Sequence, residues 1–285
     1  MNELTIATRG SKLALAQSTL VADAIMQTFP DVTVELTTVE TTGDRDRTTA
    51  MTALTELGAF VRSVQNAVLE GRADLAVHSA KDLPIVGPDA LIGFHPRRAD
   101  TADALVGASL DTLSEGAIVG TGSPRREAQL RELRPDLQIV PVRGNVDTRV
   151  SLATGGSIDA VVLAVAGLDR IGLSEHISYR FTPREMVPAP AQGALTLEAR
   201  SGTFAAEVAA SLEDDSTKAA VDAERELLAI TGAGCRSALG ALARVEGQRL
   251  VMEAFVSDER GPRRTTVDGA DPTEVAEAAQ RELGL

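Results

Sequence analysis

The segment "AIVGTGSPRREAQL", residues 117–130, decides the fold because it repeats an arrangement already present in "TIATRGSKLALAQ", residues 5–17. In each segment an apolar run of strand type ends at a Thr, a Ser follows closely, and a helix-like run begins. Pro124 suits the first helical position of the later segment. The repetition indicates two related α/β lobes.

Two further pairs of segments repeat in the same order. The sequence "LQIVPVRGNVDTR" (137–149) resembles "VTVELTTVETTGDR" (32–45), since each is a strand running into a loop with Gly and Asp. The sequence "GGSIDAVVLAVAGLDR" (155–170) resembles "GRADLAVHSAKDL" (71–83), since each has a Gly, an Asp and then a buried strand. The longest apolar run, 160–168, is too short to span a bilayer and is predicted to be a buried strand.

The first lobe contains one long polar stretch. Residues 41–58, "TTGDRDRTTAMTALTELG", show no strong period and are predicted to form a flexible loop. Residues 59–71 place apolar side chains on one helical stripe, and Gly71 stands at the C-terminal cap position.

A small α+β domain is predicted from about residue 215. Residues 216–230 have the pattern of a helix, and 241–267 read as three antiparallel strands with turns near Gly247 and Gly261. The helix that follows begins with Asp271 as its cap.

Composition excludes several classes of protein. The 285 residues carry a net charge of -13 and no Trp, which argues against nucleic-acid binding. The single cysteine, Cys235 in "ITGAGCRSAL" (230–239), excludes an internal disulfide and suits a reducing compartment. The first residues, "MNELTIATRGSK", show no secretory signal, so we expect a cytoplasmic protein that does not engage a membrane.

Two serines stand at the start of predicted helices. The free N–H groups of a helix N-terminus, with its positive dipole end, make an anion site to which Ser11 and Ser123 would add a hydroxyl. The alternative is that both serines only cap their helices. Their repeated position favours anion binding.

Arginines occur at or just beyond the ends of predicted strands, where α/β sheets have their ligand crevices. They are Arg9, Arg125, Arg126, Arg143, Arg149 and Arg170. So many in an acidic protein predict a ligand with several carboxylates or phosphates. The sequence does not match the known phosphate-binding motifs, because "GTGSPR" (120–125) has an Arg where the dinucleotide fingerprint needs its third Gly. A polycarboxylate is the better prediction.

The segment "HSAKDLP" (78–84) joins His78, Lys81 and Asp82 at the end of a buried strand. A carboxylate among cations stabilises developing positive charge and passes a proton, which is the work of a catalytic Asp. The alternative is a salt bridge or a turn cap at Asp82, with His78 as an ordinary strand-end residue. The scattered His residues and one Cys offer no spacing for a metal site.

In order, these stretches resemble the porphobilinogen deaminase family, whose members are also called hydroxymethylbilane synthases. The resemblance rests on "IATRGSKLALAQ", "TTGDRD", "GRADLAVHSAKDLP", "VGTGSPRREAQLRELRPDL", "RGNVDTR", "DAVVLAVAGLDRIGL", "PAPAQGALTLE" and "GAGC". It implies an α/β fold with two periplasmic-binding-protein-like lobes around a cleft, plus a small C-terminal α+β domain with a three-stranded antiparallel sheet and helices. The implied division is 1–97 with 194–212 for a discontinuous first lobe, 100–190 for the second lobe, and 215–285 for a cofactor-anchoring domain.

The resemblance also implies a transferase of tetrapyrrole biosynthesis. Such an enzyme joins four porphobilinogen molecules head to tail on a covalent dipyrromethane primer, releases ammonia at each step and hydrolyses the product to hydroxymethylbilane. It implies Asp82 as the catalytic residue and a thioether from Cys235 to the cofactor. Further cofactor ligands would be Ser79, Lys81, Thr121, Ser123, Arg125, Arg126, Arg143 and Asn145. Substrate ligands would be Arg9, Ser11, Gln17, Phe60, Arg149, Arg170 and Gln192. No metal is implied, and we expect a monomer.

The chain departs from the family pattern at three places. Its "ELGAF" segment (56–60) lacks the lysines of the family's active-site loop, so either this loop binds substrate with less charge or Arg45 and Arg47 substitute. Residues 236–238 replace a common Gln-Val-Pro, and Lys12 stands where a proline is common. Two other readings stay open: a two-lobed polycarboxylate-binding module without chemistry, and an inactive paralogue.

Overall fold

A computed structural model describes residues 2–39, 53–232 and 238–285, with only the backbone for 53–59. Internal contacts divide the chain into two units, 1–98 with 194–218 and 99–193 with 219–285. Cys235, Arg45 and Arg47 lie outside the described residues. The division into three domains stays a prediction, since the second unit combines 99–193 with the C-terminal segment.

Three sheets organise the described part of the chain. The strands are β1 (Asn2–Thr8), β2 (Val32–Thr38), β3 (Leu75–Ser79), β4 (Leu91–Phe94), β5 (Asp103–Val106), β6 (Ile118–Gly120), β7 (Gln138–Val140), β8 (Ala160–Ala164), β9 (Ile177–Arg180), β10 (Leu195–Arg200), β11 (Ala238–Glu246), β12 (Arg249–Asp258) and β13 (Gly261–Gly269). The helices are α1 (Lys12–Thr28), α2 (Ala53–Leu69), α3 (Pro124–Leu133), α4 (Val146–Thr154), α5 (Val165–Arg170), α6 (Phe204–Ser211), α7 (Asp215–Ile230) and α8 (Pro272–Leu283). The predicted α/β class with a separate three-stranded sheet is confirmed.

The two five-stranded sheets have matching topologies. The first has the order β2-β1-β3-β10-β4 and the second β7-β6-β8-β5-β9. In each, the second strand of the order has a parallel neighbour on both sides, and the fourth strand runs antiparallel to both of its neighbours. The strands β1, β2 and β3 therefore correspond to β6, β7 and β8, which confirms the internal repeat predicted from the sequence.

One strand of the first sheet comes from far along the chain. Strand β10 pairs antiparallel with β3 through Leu195↔Ser79 and with β4 through Leu197↔Phe94. The chain thus returns to the first sheet after completing the second, as the family resemblance implies. Leu197 and Ala199 are fully buried beneath helix α6, so β10 belongs to the core of this unit.

Two segments differ from their predictions. Helix α2 begins at Ala53, so the loop predicted for 41–58 is wrong for its last residues. Ala, Leu and Glu are strong helix formers, but the longer polar window conceals them. The apolar run 160–168 is a strand only to Ala164, and helix α5 follows. A fully apolar run has no period that separates a buried strand from a buried helix.

The C-terminal sheet has its own core. Strands β11, β12 and β13 form an antiparallel sheet in that order, as predicted. Helices α7 and α8 cover it with side chains such as Leu227 and Val275, which pack on Met252. Asp271 caps α8 by accepting a hydrogen bond from the Glu274 amide, which confirms the predicted cap.

Residues 187–193 form a segment whose first two residues lie against the outer edge of β11. The Ala241 amide donates to the Pro188 carbonyl at 3.0 Å. Gly240 permits this close approach, because a Cβ there would lie 2.8 Å from the Val187 oxygen. We call residues 187–193 the edge segment. Within the part of the chain that the structure describes, no helix has both the length and the apolar character needed to cross a bilayer.

Candidate functional site

A pocket in the first unit brings together seven residues that the sequence singles out. It is lined by Arg9, Ser11, Gln17, Phe60, His78, Ser79 and Asp82, among others. They come from the carboxyl ends of the neighbouring strands β1 and β3 and from helices α1 and α2, so they lie together at that end of the sheet. The carboxyl end of parallel strands is where α/β proteins bind ligands.

Helix α1 begins at this pocket. Ser11 is its N-cap and accepts a hydrogen bond from the Ala14 amide, so the capping role of this serine is observed. Gln17, one helical turn further in, donates to the Ser79 hydroxyl at 2.9 Å. The Arg9 guanidinium lies over the Phe60 ring, 4.0 Å from its centroid. That contact orients a cation at the pocket wall.

Asp82 ends a short turn that follows β3. Residues Ala80–Asp82 form one turn of 3-10 helix, held by the Ala80 amide donating to the Ala194 carbonyl. The Asp82 side chain is half-buried and lines the pocket beside Ser79. A carboxylate on a fixed turn that lines the same pocket as the Arg9 guanidinium has a placement suited to charge stabilisation.

A buried polar cluster lies behind the pocket. The His78 Nε2 atom is 3.0 Å from the Glu198 Oε2 atom, and both side chains are almost fully buried. Gln65 of α2 donates to both carboxylate oxygens of Glu198 at 3.0 Å. The Glu198 carboxylate lies beside His78, which agrees with the alternative that His78 is an ordinary strand-end residue with a buried partner.

In the second unit, helix α3 repeats the arrangement of α1. Ser123 caps it and accepts from the Arg126 amide, while the Thr121 hydroxyl accepts from the Ser123 amide at 3.2 Å. Pro124 occupies the first turn, as predicted. Both serines are thus observed as caps, and their anion-binding role stays a prediction.

Arg125 and Arg126 extend from this first turn into the interior. Arg126 donates to Asp103 Oδ1 at 2.6 and 3.0 Å and to the Val162 carbonyl at 3.0 Å. Arg125 lies 2.8 Å from Asp103 Oδ2 and donates to the Val187 carbonyl at 2.6 Å. Two guanidiniums share one carboxylate, which leaves an excess of positive charge in a buried place.

Burial and neighbouring charges shift the pKa values of this cluster in opposite directions. Burial raises the pKa of Asp103, but the adjacent guanidiniums of Arg125 and Arg126 outweigh it and hold that pKa well below its usual range. Burial also lowers the pKa of Arg125, which Asp103 only partly offsets. Replacing the Asp103 carboxylate would leave two buried cations uncompensated.

Arg170 and Gln192 hold the backbone near the edge segment. Arg170 donates to the Gly193 carbonyl at 2.6 Å, and burial lowers the pKa of its guanidinium to about 10. Gln192 is fully buried and donates to Asp103 Oδ1 and to the Thr101 carbonyl, both at 2.9 Å. Several predicted ligands therefore already make bonds within the protein.

The remaining predicted residues differ in exposure. Arg143 and Asn145 are exposed just before helix α4, and Arg149 is half-buried in it. Lys81 is half-buried on the turn that carries Asp82. Cys235 and Arg236 lie outside the described residues. In that described part of the chain, no group of three or more His, Cys, Asp or Glu side chains is placed to hold a metal ion.

Several buried polar residues escaped the sequence analysis, and four of them make contacts that matter for the site. They are Gln65, Asp103, Glu198 and Glu224. For Asp103 and Glu198 the signal in the sequence was a carboxylate inside or next to an apolar strand, as in "TADALV" and "ALTLEAR". A charge in such a place requires a buried partner, because the interior does not solvate it.

Comparisons with known proteins identify relatives. The family model described as "Porphobilinogen deaminase, dipyromethane cofactor binding domain" matches residues 4–208. A protein of Roseiflexus castenholzii named porphobilinogen deaminase is 44% identical over 99% of this chain and 96% of its own length. Proteins of that name from Deinococcus deserti and Acidothermus cellulolyticus are 42% and 45% identical over 97% and 92% of this chain, and over 93% and 81% of their own lengths.

Solved structures also align with most of the chain, at low identity. The effector-binding domain of BenM with its effector benzoate is 16% identical over 81% of this chain and 94% of that chain, with a TM-score of 0.43. The substrate-binding domain of a putative molybdenum transporter from Clostridium difficile is 11% identical over 75% of this chain and 93% of that chain, with a TM-score of 0.45.

Proposed function

Since the chain belongs to the porphobilinogen deaminase family, we propose that the pocket around Asp82 is where its reaction takes place. The chain is a transferase with hydroxymethylbilane synthase function in tetrapyrrole biosynthesis, and its substrate is porphobilinogen. The observation that supports this location is the gathering of Arg9, Ser11, Gln17 and Asp82 around one pocket.

Asp82 is the proposed catalytic carboxylate. Each addition removes ammonia from an aminomethyl group, and positive charge develops on the electron-rich pyrrole ring. A carboxylate on the fixed turn after β3 stabilises that charge and accepts or returns a proton at its carboxyl oxygen. Burial of part of the side chain strengthens the effect, because less water screens it.

The donors of the second unit fit a group that carries several carboxylates. Among the described residues, Asp103 is the carboxylate that pairs with both Arg125 and Arg126, so the cluster retains positive charge that a further carboxylate would neutralise. Further donors lie on neighbouring loops, namely the capping residue Ser123 and the exposed Arg143 and Asn145. These residues would hold the dipyrromethane cofactor, which when bound supplies the pyrrole carbon to which new units are joined.

Cys235 is the proposed covalent anchor of that cofactor, through a thioether. The support comes from the family's domain description, which names the cofactor, and from the fact that the chain has a single cysteine. The glycines beside it in "GAGC" would let the sulfur approach a ligand without intervening side chains.

The substrate ligands are proposed residue by residue. Arg9 and Ser11 would bind a carboxylate of the incoming porphobilinogen at the start of α1, and Gln17 would fix Ser79 beside it. Phe60 would form the apolar wall on which Arg9 rests. Arg149, Arg170 and Gln192 are assigned to the carboxylates of the growing chain, and Ser79, Lys81 and Thr121 are assigned to the cofactor. Each added pyrrole brings two carboxylates, which accounts for many cations in an acidic protein.

The experiment is a stoichiometric assay on purified protein. We expect four ammonia molecules to be released for each hydroxymethylbilane formed from porphobilinogen. A protein that binds porphobilinogen with no release of ammonia would be the non-catalytic binding module instead. We further propose that the enzyme acts as a cytoplasmic monomer, without nucleic-acid or membrane partners, which sedimentation and fractionation test.

A further inference from the structure

We propose that Glu224 is a positioning residue for the cationic cluster of Arg125, Arg126, Asp103 and Gln192. The proposal rests on the proposed function where it concerns binding of carboxylates by that cluster. The positioning role of Glu224 is inferred from contacts between residues of the second unit alone.

The first observation is a strained residue in the edge segment. Ala191 has a φ of 61°, and it is the one non-glycine residue with a positive φ in the described ranges. A side chain with a Cβ rarely adopts this conformation, which persists only where the surroundings impose it. Ala191 is also buried, with 1% exposure. Something adjacent must therefore hold its backbone in place.

Glu224 supplies that restraint. Its side chain is fully buried in the middle of α7. One carboxylate oxygen accepts from the Ala191 amide at 2.5 Å, and the other accepts from the Ala243 amide of β11 at 2.7 Å. A carboxylate that accepts two amide protons holds both backbones at fixed positions. Glu224 thereby fastens the edge segment to the edge of β11.

The restraint extends to the cationic cluster through the next residue. The Gln192 amide donates to the Ala189 carbonyl, and its side chain donates to Asp103 Oδ1, the oxygen that also accepts from Arg126. A change of φ at Ala191 rotates the following peptide and moves the Gln192 side chain. Asp103 then loses a donor, and its two arginines lose a fixed partner.

The same helix leads toward the proposed anchor. Helix α7 ends at Ile230, a few residues before Cys235. Glu224 thus connects the helix that precedes Cys235 in the chain with the arginines assigned to cofactor carboxylates. Its role is to fix the relative positions of these two parts of the second unit, without itself contacting a ligand.

The test begins with Glu224→Gln in the full chain. A glutamine keeps the shape but has one acceptor oxygen, so one of the two amides loses its partner. We expect hydrogen exchange at the Ala191 and Gln192 amides to accelerate about tenfold, reporting local opening. We expect KM for porphobilinogen to rise about fivefold with kcat within about twofold, since binding rather than chemistry is affected. The matched control is Glu226→Gln, the same change on a half-buried residue of the same helix.

A second variant separates positioning from general structural support. Glycine adopts a positive φ at no cost, so Ala191→Gly removes the strain that Glu224 opposes. We expect the double variant Ala191→Gly, Glu224→Gln to recover slow exchange at Gln192 and a KM within about twofold of Ala191→Gly alone. A purely structural role predicts no such rescue.

Three outcomes would overturn the proposal. They are unchanged exchange at the Ala191 and Gln192 amides in Glu224→Gln, an unchanged KM, or a double variant as impaired as Glu224→Gln. Should Glu224→Gln fail to fold, Glu224→Asp keeps the charge with a shorter reach, and the same readouts apply. Failure of the proposed function is distinguishable, because wild-type protein would then release no ammonia while hydrogen exchange still tests Glu224.

Discussion

Arg125 and Asp103 form a buried ion pair in which Arg125 Nη1 lies 2.8 Å from Asp103 Oδ2, with 3% and 0% of the residues exposed. Because Arg126 contacts the same carboxylate, Asp103 offsets part of the charge of the two cations that begin helix α3. The cationic cluster is therefore built around an internal anion before any ligand arrives.

Replacing Asp103 should destabilise the fold strongly. In Asp103→Asn two buried guanidiniums lose their counterion, and we expect the free energy of unfolding to fall by about 3–5 kcal/mol. Urea denaturation measures this loss. The control is Asp136→Asn, which breaks the part-exposed pair with Arg134 and should cost far less, because solvent screens that pair. Equal losses in the two variants would contradict the buried-pair argument.

The same pair predicts a pH dependence. Arg125 and Arg126 hold the pKa of Asp103 below its ordinary value of 3.8, so the folded state favours the carboxylate. Its stabilisation is fully present above about pH 5 and is lost as pH falls through the unfolded pKa toward the lower folded one. The difference in unfolding free energy between wild type and Asp103→Asn should therefore narrow below about pH 4. A difference in unfolding free energy that stays constant down to pH 2 would contradict the lowered pKa of Asp103.

Asp82 should be needed for turnover but not for folding. Its side chain is half-buried at the pocket, so Asp82→Asn should leave the melting temperature nearly unchanged. We expect kcat to fall about 100- to 1000-fold, because a charge that acts on the transition state is removed. Steady-state kinetics on both Asp82→Asn and the exposed-site control Asp89→Asn provide the comparison. Turnover within a few-fold of wild type would move catalysis to another residue.

Cys235 should carry a covalent adduct. Intact mass of the purified wild-type protein should exceed the sequence mass by that of a two-pyrrole group, and Cys235→Ala should show the sequence mass alone. Protein from cells that make porphobilinogen is the appropriate sample. An unmodified wild-type mass in that sample would refute the anchoring role.

Gly193 should tolerate no side chain. Its φ is +86°, and an added Cβ would lie 2.7 Å from the Ala99 oxygen and 2.8 Å from the Asp100 oxygen. We expect Gly193→Ala to cost about 2–4 kcal/mol of stability, combining backbone strain with steric overlap. Gly202→Ala is the control, since Gly202 has a φ of +73° in open space. The control should lose about 1 kcal/mol, as measured by chemical denaturation.

The sequence predicts the repeated elements well and the pairing of distant strands poorly. The strand, serine and helix arrangement at 5–17 and 117–130 was readable because it is local and occurs twice. The short strands β4, β5 and β9 have four residues each, too few to show a period. Their existence depends on partners elsewhere in the chain, which no local pattern specifies.

The site was predictable in its residue types but not in its bonding. The sequence indicated that Arg125, Arg126 and Arg170 serve one region, because charge in an acidic protein is informative. It did not show that these arginines contact Asp103 or backbone carbonyls, since such contacts join residues far apart in the chain. A buried carboxylate looks like any other Asp or Glu until its neighbours are known.

The position of strand β10 delays completion of the first sheet during synthesis of the chain. It lies between β3 and β4, so the first sheet lacks an inner strand until residues 195–200 leave the ribosome. At about 5–20 residues per second, the roughly 100 residues that separate β4 from β10 delay closure of this sheet by about 5–20 s. During that interval β4 has no hydrogen-bonding partner, and the nascent chain exposes apolar strand edges of the kind that chaperones bind.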